Sequence, residues 1–309
     1  MRVRVRVRVR VRVRVRVRVR GPAPALSKTG PLAQSGMVRP PPKCSVSRLP
    51  SMNAAHIGEL LAVLGAGIAA GAVNAVVGSG TLITFPVLLA TGLPPVTATV
   101  SNALGLIPGS ISGAIGYRRE LSGQRRRILK WGAGALLGGL TGAALLLALP
   151  ASAFERIVPA LVGLALVLVV LQPLISRRLR ARRARKGRSA RPDGGPVLLA
   201  GLTLASVYGG YFSAAQGIIY VALMGMLLDD DLQRLTAVKN VLVAVVNSVA
   251  ALLFLVVADF DWTAVALLAV GSALGGHLGA TTGRRLRPAV LRALIVVVGT
   301  VAIVQLVPR

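Results

Sequence analysis

The sequence predicts an all-α integral membrane protein built from two homologous halves. Three observations carry that expectation. Of the 309 residues 54% are hydrophobic, and 37 Lys and Arg stand against only 9 Asp and Glu. From residue 57 onward the chain is a succession of apolar runs separated by short polar stretches. Slid along itself by 138 residues, it places Gly71 on Gly209, Asn102 on Asn240, Ser110 on Ser248, Pro150 on Pro288 and Ile157 on Ile295. A soluble domain instead has about a quarter of its residues charged and keeps its apolar stretches short.

The basic excess does not point to nucleic acid. Fourteen basic side chains lie in residues 1–51 and nineteen more in three short stretches that flank apolar runs, instead of lining one polar face. The expected partners are the lipid bilayer and a small anionic substrate, with no nucleic acid; assembly into a homo-oligomer is left open. A single cysteine, Cys44, excludes an internal disulfide, and two histidines without a recognisable set of Cys or carboxylate partners give no metal site.

Residues 1–51 form the first segment. Arg and Val alternate from residue 2 to 20, followed by a stretch rich in Pro, Ser and Gly. Ten like charges repel and no partner strand is offered, so a disordered tail is expected. It lacks the continuous apolar core of a secretory signal. So pure a repeat fits a start codon assigned too far upstream, with Met37 or Met52 as the start; the alternative is a tail that binds anionic lipid.

The apolar runs are 57–93, 96–117, 129–149, 157–175, 197–228, 235–258, 262–283 and 290–307. About 20 apolar residues span a bilayer as a helix, so six runs fit one pass each. The first and fifth are too long, and both carry polar and glycine residues midway. Each is expected to be two short helices around a break. The organisation is therefore a first transmembrane repeat over 55–175, a basic cytoplasmic linker over 176–196 and a second repeat over 197–309.

Cytoplasmic loops accumulate Lys and Arg. Six basic residues fall in 118–130, nine in 177–191 and four in 284–292, whereas the turn 259–261 is acidic. Placing all three basic stretches in the cytoplasm requires an even number of crossings between them. The fifth run then contributes two crossings or none, as a hairpin or re-entrant segment does. The matched loops 118–130 and 259–261 fall on opposite sides, which makes the repeats inverted in a multi-pass protein of the cell membrane.

In transporters with inverted repeats, substrate sites lie near the midplane where interrupted helices meet. Non-helical backbone at that depth must be buried in protein or line a cavity. Gly78, Ser79, Gly80 and Thr81 supply such backbone, with Asn74 just before them; Ser213, Gln216 and Gly217 are the matching stretch. Glycines admit close approach, and free amides at a helix start attract an anion. A second cluster joins Thr97, Thr99, Ser101 and Asn102 to Thr236, Lys239 and Asn240. A charge such as Lys239 costs at least about 2.5 kcal/mol at the bilayer centre, which a substrate anion would offset; the alternative is a side chain that snorkels to the headgroups. His277 is expected as a buried, hydrogen-bonded histidine, with proton relay as the alternative. Asn247 and Ser248 are either interhelical contacts or pore lining. No phosphate-binding loop, catalytic triad, carboxylate pair or zinc-peptidase motif occurs, so neither ATP drive within this chain, nor a cofactor, nor enzymatic activity is expected.

The stretch from Gly71 through Asn74, Gly78-Ser79-Gly80-Thr81 and Pro86, then Leu93-Pro94-Pro95 and Thr97 to Asn102, resembles the TauE/SafE family of sulfite exporters. Ala237-Val238-Lys239-Asn240 is similar to that family's second-half motif. The likeness covers about residues 55–305; Gly78-Ser79-Gly80 stands where three glycines are common, and Gln216 lies in the second turn. The resemblance implies a secondary transporter that exports sulfite or another small organosulfur anion. The alternative is a membrane-embedded accessory or assembly subunit.

Overall fold

The computed structural model describes residues 54–185, 194–228, 230–282 and 297. The tail 1–51, the basic stretch 284–292 and most of the last run lie outside the described residues.

A chain in lipid must satisfy its backbone hydrogen bonds internally, and the described residues accordingly form helices. The first long run is α1 (Ala54–Val76) and α2 (Thr81–Ala90), parted at Val77–Gly80. The fifth is α7 (Gly195–Tyr211) and α8 (Gln216–Leu227), parted at 212–215. Both breaks fall where expected, although α1 is long and only α2 is short. The second run differs from expectation. Instead of one helix it is α3 (Pro95–Gly105) and α4 (Ile107–Gly116), separated at Leu106. Pro108 lies just beyond and has no N–H to offer the preceding turn.

The remaining helices are α5 (Arg125–Ala148), α6 (Ala151–Arg185), α9 (Leu232–Val257) and α10 (Trp262–Thr282). At 35 residues α6 is about 50 Å long, well beyond a hydrocarbon layer of about 30 Å. It continues through the first half of the stretch read as a linker, so its Arg-rich end projects from the apolar part, Ala151–Leu171. Among the described residues five helices are long and apolar enough to cross a membrane. Leu61, Leu137, Leu164, Leu252 and Val256 lie exposed on their outer faces. Such a surface suits lipid and would be an aggregation liability in water. The protein is an all-α, multi-pass membrane protein.

Hydrophobic burial does not drive helices together in lipid, so close packing through small residues does. Two glycine stripes supply it. Cβ atoms on Gly271, Gly275 and Gly279 of α10 would collide with the backbone of Leu64, Ile68 and Ala72 on α1. Cβ atoms on Gly134, Gly138 and Gly142 of α5 would collide with Thr203 and Val207 on α7. Both sets rise in step, so each pair of helices runs parallel.

The turn 259–261 meets one end of the bundle: Asp261 and Thr263 share a cleft of about 200 Å³ with His56, Glu59, Thr91 and Leu93. The opposite end is tied by Asp230, which pairs with Arg127 at 2.6 Å and Arg234 at 3.0 Å. Gln124 donates to the Arg234 carbonyl there.

Candidate functional site

The two breaks meet. Gly78 has φ +89°, a left-handed conformation that favours glycine, and its carbonyl oxygen accepts from the Gly217 amide at 3.1 Å. A Cβ on either glycine would lie 2.6 Å from the other's Cα. The second break turns without glycine, through Ser213 (φ 67°) and Ala215 (φ 56°), a conformation worth about 1–3 kcal/mol of strain per residue. Ser213 is held there by donating to Asn247, and the Tyr208 hydroxyl donates to the Ala214 carbonyl. Phe85 of α2 packs edge-on to Phe212 of the second break, with ring centres 5.2 Å apart.

Lys239 lies across this contact. Its side chain is fully buried, and its Cδ lies 2.7 Å from where a Gly217 Cβ would stand and 3.1 Å from that of Gly78. Its Nζ donates to the carbonyls of Asn74 at 2.6 Å and Ala75 at 3.2 Å. These belong to the last turn of α1, whose carbonyls have no helical partner and carry the negative end of the helix dipole. The snorkelling alternative therefore fails: the ammonium turns inward, onto the end of the broken helix. Asn240 adds a bond to the same Ala75 carbonyl at 3.2 Å.

Asn102 serves the other side of the break. It accepts from Thr84 and donates to Thr81 at 3.2 Å, clamping the first turn of α2. Asn102 and Asn240 match in sequence, yet both act on the first break, one at the start of α2 and one at the end of α1. Asn74 donates to Ser110 at 3.3 Å.

Several expected residues lie elsewhere. Ser101 is buried, but its hydroxyl accepts from the Asp261 amide at 3.1 Å, which assigns it to the turn before α10. Thr99 and Thr236 bond carbonyls one turn back in their own helices. His277 is exposed on the outer face of α10, which corrects the expectation of a buried histidine: the glycines around it, not the imidazole, face α1. Ser248 lines an outward-facing groove between α4 and α9.

Two buried polar atoms have no hydrogen-bond partner among the described residues at the crossing: Ser79 Oγ and Gln216 Oε1, on residues that are each 1% exposed. The amides of Ser79, Gly80 and Thr81 likewise make no bond among the described residues, whereas that of Gly217 is taken by Gly78. The start of α2 thus offers free donors and the positive end of a helix dipole, beside an ammonium that touches only main-chain carbonyls. Tyr220 and Ser206, which join Gln216 in a buried chain, were not singled out from the sequence; the apolar run around them gave no sign of pairing.

Paired broken helices that bury polar groups where they meet define a multi-pass membrane protein of the transporter type. The sequence model of the sulfite exporter TauE/SafE family matches residues 63–306, and the chain belongs to that family of membrane transporters. It is 29% identical over 236 residues to the probable membrane transporter protein YfcA of Escherichia coli K12, covering 75% of this chain and 83% of that one. With a probable membrane transporter protein of Haemophilus influenzae it shares 27% identity over 246 residues, covering 77% and 91%. No solved structure matches the chain.

Proposed function

We propose that the chain is a secondary transporter that exports a small anion, sulfite or another organosulfur anion, bound where the two broken segments cross. The observation that carries this reading is the Gly78–Gly217 contact, flanked on one side by free amides and the unpartnered Ser79 hydroxyl. Asn74, Gly80, Thr81, Asn102, Lys239 and Asn240 complete the surroundings, so polar groups come from both halves. A purely structural subunit would need only an apolar interface there. All these residues are buried, so none of them is open to solvent in this structure.

The halves 55–175 and 197–309 act as inverted repeats, and the basic loops lie in the cytoplasm. Support comes from the stripe Gly134, Gly138, Gly142 and its counterpart Gly271, Gly275, Gly279, each packed on the first helix of the other half. Further support is that Asp230 with residues 124–127 and the turn 259–261 lie at opposite ends. The test is flux into proteoliposomes across sulfite, sulfonates, sulfate and carboxylates. Flux confined to carboxylates would remove the organosulfur assignment, and absence of flux for every anion would remove the transport reading.

A further inference from the structure

We infer that the crossing selects oxyanions that carry a hydrogen-bond donor of their own, and that Gln216 is the residue that reads it. The inference rests on the anion-transport reading above and narrows its substrate class.

Gln216 opens α8 and immediately precedes Gly217, as Ser79 immediately follows Gly78. The two residues therefore flank the same backbone contact, and both keep a buried polar atom without a partner among the described residues. Their chemistry differs. A serine hydroxyl can donate or accept, whereas a glutamine amide has a donating and an accepting end. Which end is free decides what the second break can recognise.

The hydrogens can be assigned in sequence. Ser206 Oγ lies 2.6 Å from the Leu202 carbonyl oxygen, which can only accept, so the Ser206 hydrogen points there. Tyr220 Oη lies 2.6 Å from the same Ser206 oxygen and must be the donor in that pair. With its one hydrogen committed, the tyrosine oxygen can only accept, and Gln216 Nε2 stands 2.6 Å away to fill it. A flipped amide would set two oxygens against each other with no hydrogen between them. Ser206 and Tyr220 are thus positioning residues that hold the amide in one orientation and leave Oε1 as the free end. Gly209 makes the room, since a Cβ there would collide with the Gln216 amide.

The crossing is therefore bipolar. The Ser79 side presents donors suited to anionic oxygens, and Gln216 presents an acceptor. An anion bearing a hydroxyl or amino group, or a proton on one of its oxygens, satisfies both. A fully deprotonated oxyanion leaves the acceptor unpaired, and sites built to hydrogen-bond a substrate group discriminate strongly against analogues that lack it.

The test uses the full chain in proteoliposomes and two sulfonates of nearly equal shape, isethionate and propanesulfonate, which differ by a hydroxyl in place of a methyl. The KM for isethionate is expected to be lower by roughly ten-fold or more. Gln216→Leu brings the ratio of the two KM values close to one. Tyr220→Phe lets the amide turn and lowers the ratio while Gln216 remains; damage to folding alone would reduce flux of both anions together and leave the ratio as it was. Equal KM values in the unaltered protein overturn the inference and leave anion transport standing. A ratio that survives both substitutions overturns the role of Gln216. Absence of flux for these two anions and for the wider panel overturns the transport reading, and the inference with it.

Discussion

The ammonium of Lys239 sits 2.6 Å from the carbonyl oxygen of Asn74, so a lysine from the second half closes the open end of a helix in the first. That relationship ties the charge at the crossing to the integrity of α1. Lys239→Ala should leave the buried Asn74 carbonyl without a donor and the Ala75 carbonyl with Asn240 alone, at about 1–3 kcal/mol of stability, and reduce anion flux per inserted protein far more than expression. Lys239→Arg keeps a donor but enlarges the head, and should be intermediate. Unchanged flux in Lys239→Ala would remove the lysine from the site.

Gly78 and Gly217 leave no room for a methyl group between them. Gly217→Ala should push the breaks apart, and Gly78→Ala adds the cost of a left-handed alanine, for at least about 2 kcal/mol in total. The order expected in thermal unfolding in detergent is unaltered protein, Gly217→Ala, then Gly78→Ala, with flux lost in both variants. An unfolding midpoint for Gly78→Ala equal to that of the unaltered chain would contradict the contact.

Ser101 and Asn102 are neighbours on α3 that serve different structures. Ser101→Ala should cost about 1 kcal/mol through the turn at Asp261 and retain flux. Asn102→Ala releases Thr81 and Thr84 and should lower flux several-fold at similar expression. Parallel kinetics for the two variants would mean that the crossing does not distinguish them.

Ser122 and Asp259 lie exposed at opposite ends of the bundle. In a Cys44→Ser background, Ser122→Cys should react with an impermeant maleimide only from the cytoplasmic side, and Asp259→Cys only from outside. Labelling of both from one side would defeat the inverted arrangement.

Much of this architecture can be read in the sequence because it is written in local periodicity. Apolar length marks the helices, and Gly78-Ser79-Gly80 and Ser213 to Gly217 mark the breaks to within a few residues. Partners are another matter. Nothing near Lys239 says that its ammonium meets residues 74 and 75, because that contact joins positions far apart in the chain. Asn240 shows the limit of sequence matching: it aligns with Asn102 but bonds the end of α1 instead of the start of α8. The glycines of α5 and α10 recur every four residues, and that spacing, taken as a packing seam, puts His277 on the outer face.

The seams on α1 and α7 also close at different times during synthesis. The α5–α7 contact joins residues about 70 apart, so it can form soon after α7 leaves the ribosome. The glycine-lined face of α1 has to wait for α10, about 200 residues later, or on the order of 10–40 s at typical elongation rates. Throughout that interval α1 lacks the partner against which its small residues pack. A helix made early is thus locked in place late, and substitutions along it should show up as degraded nascent chains before any finished protein loses function.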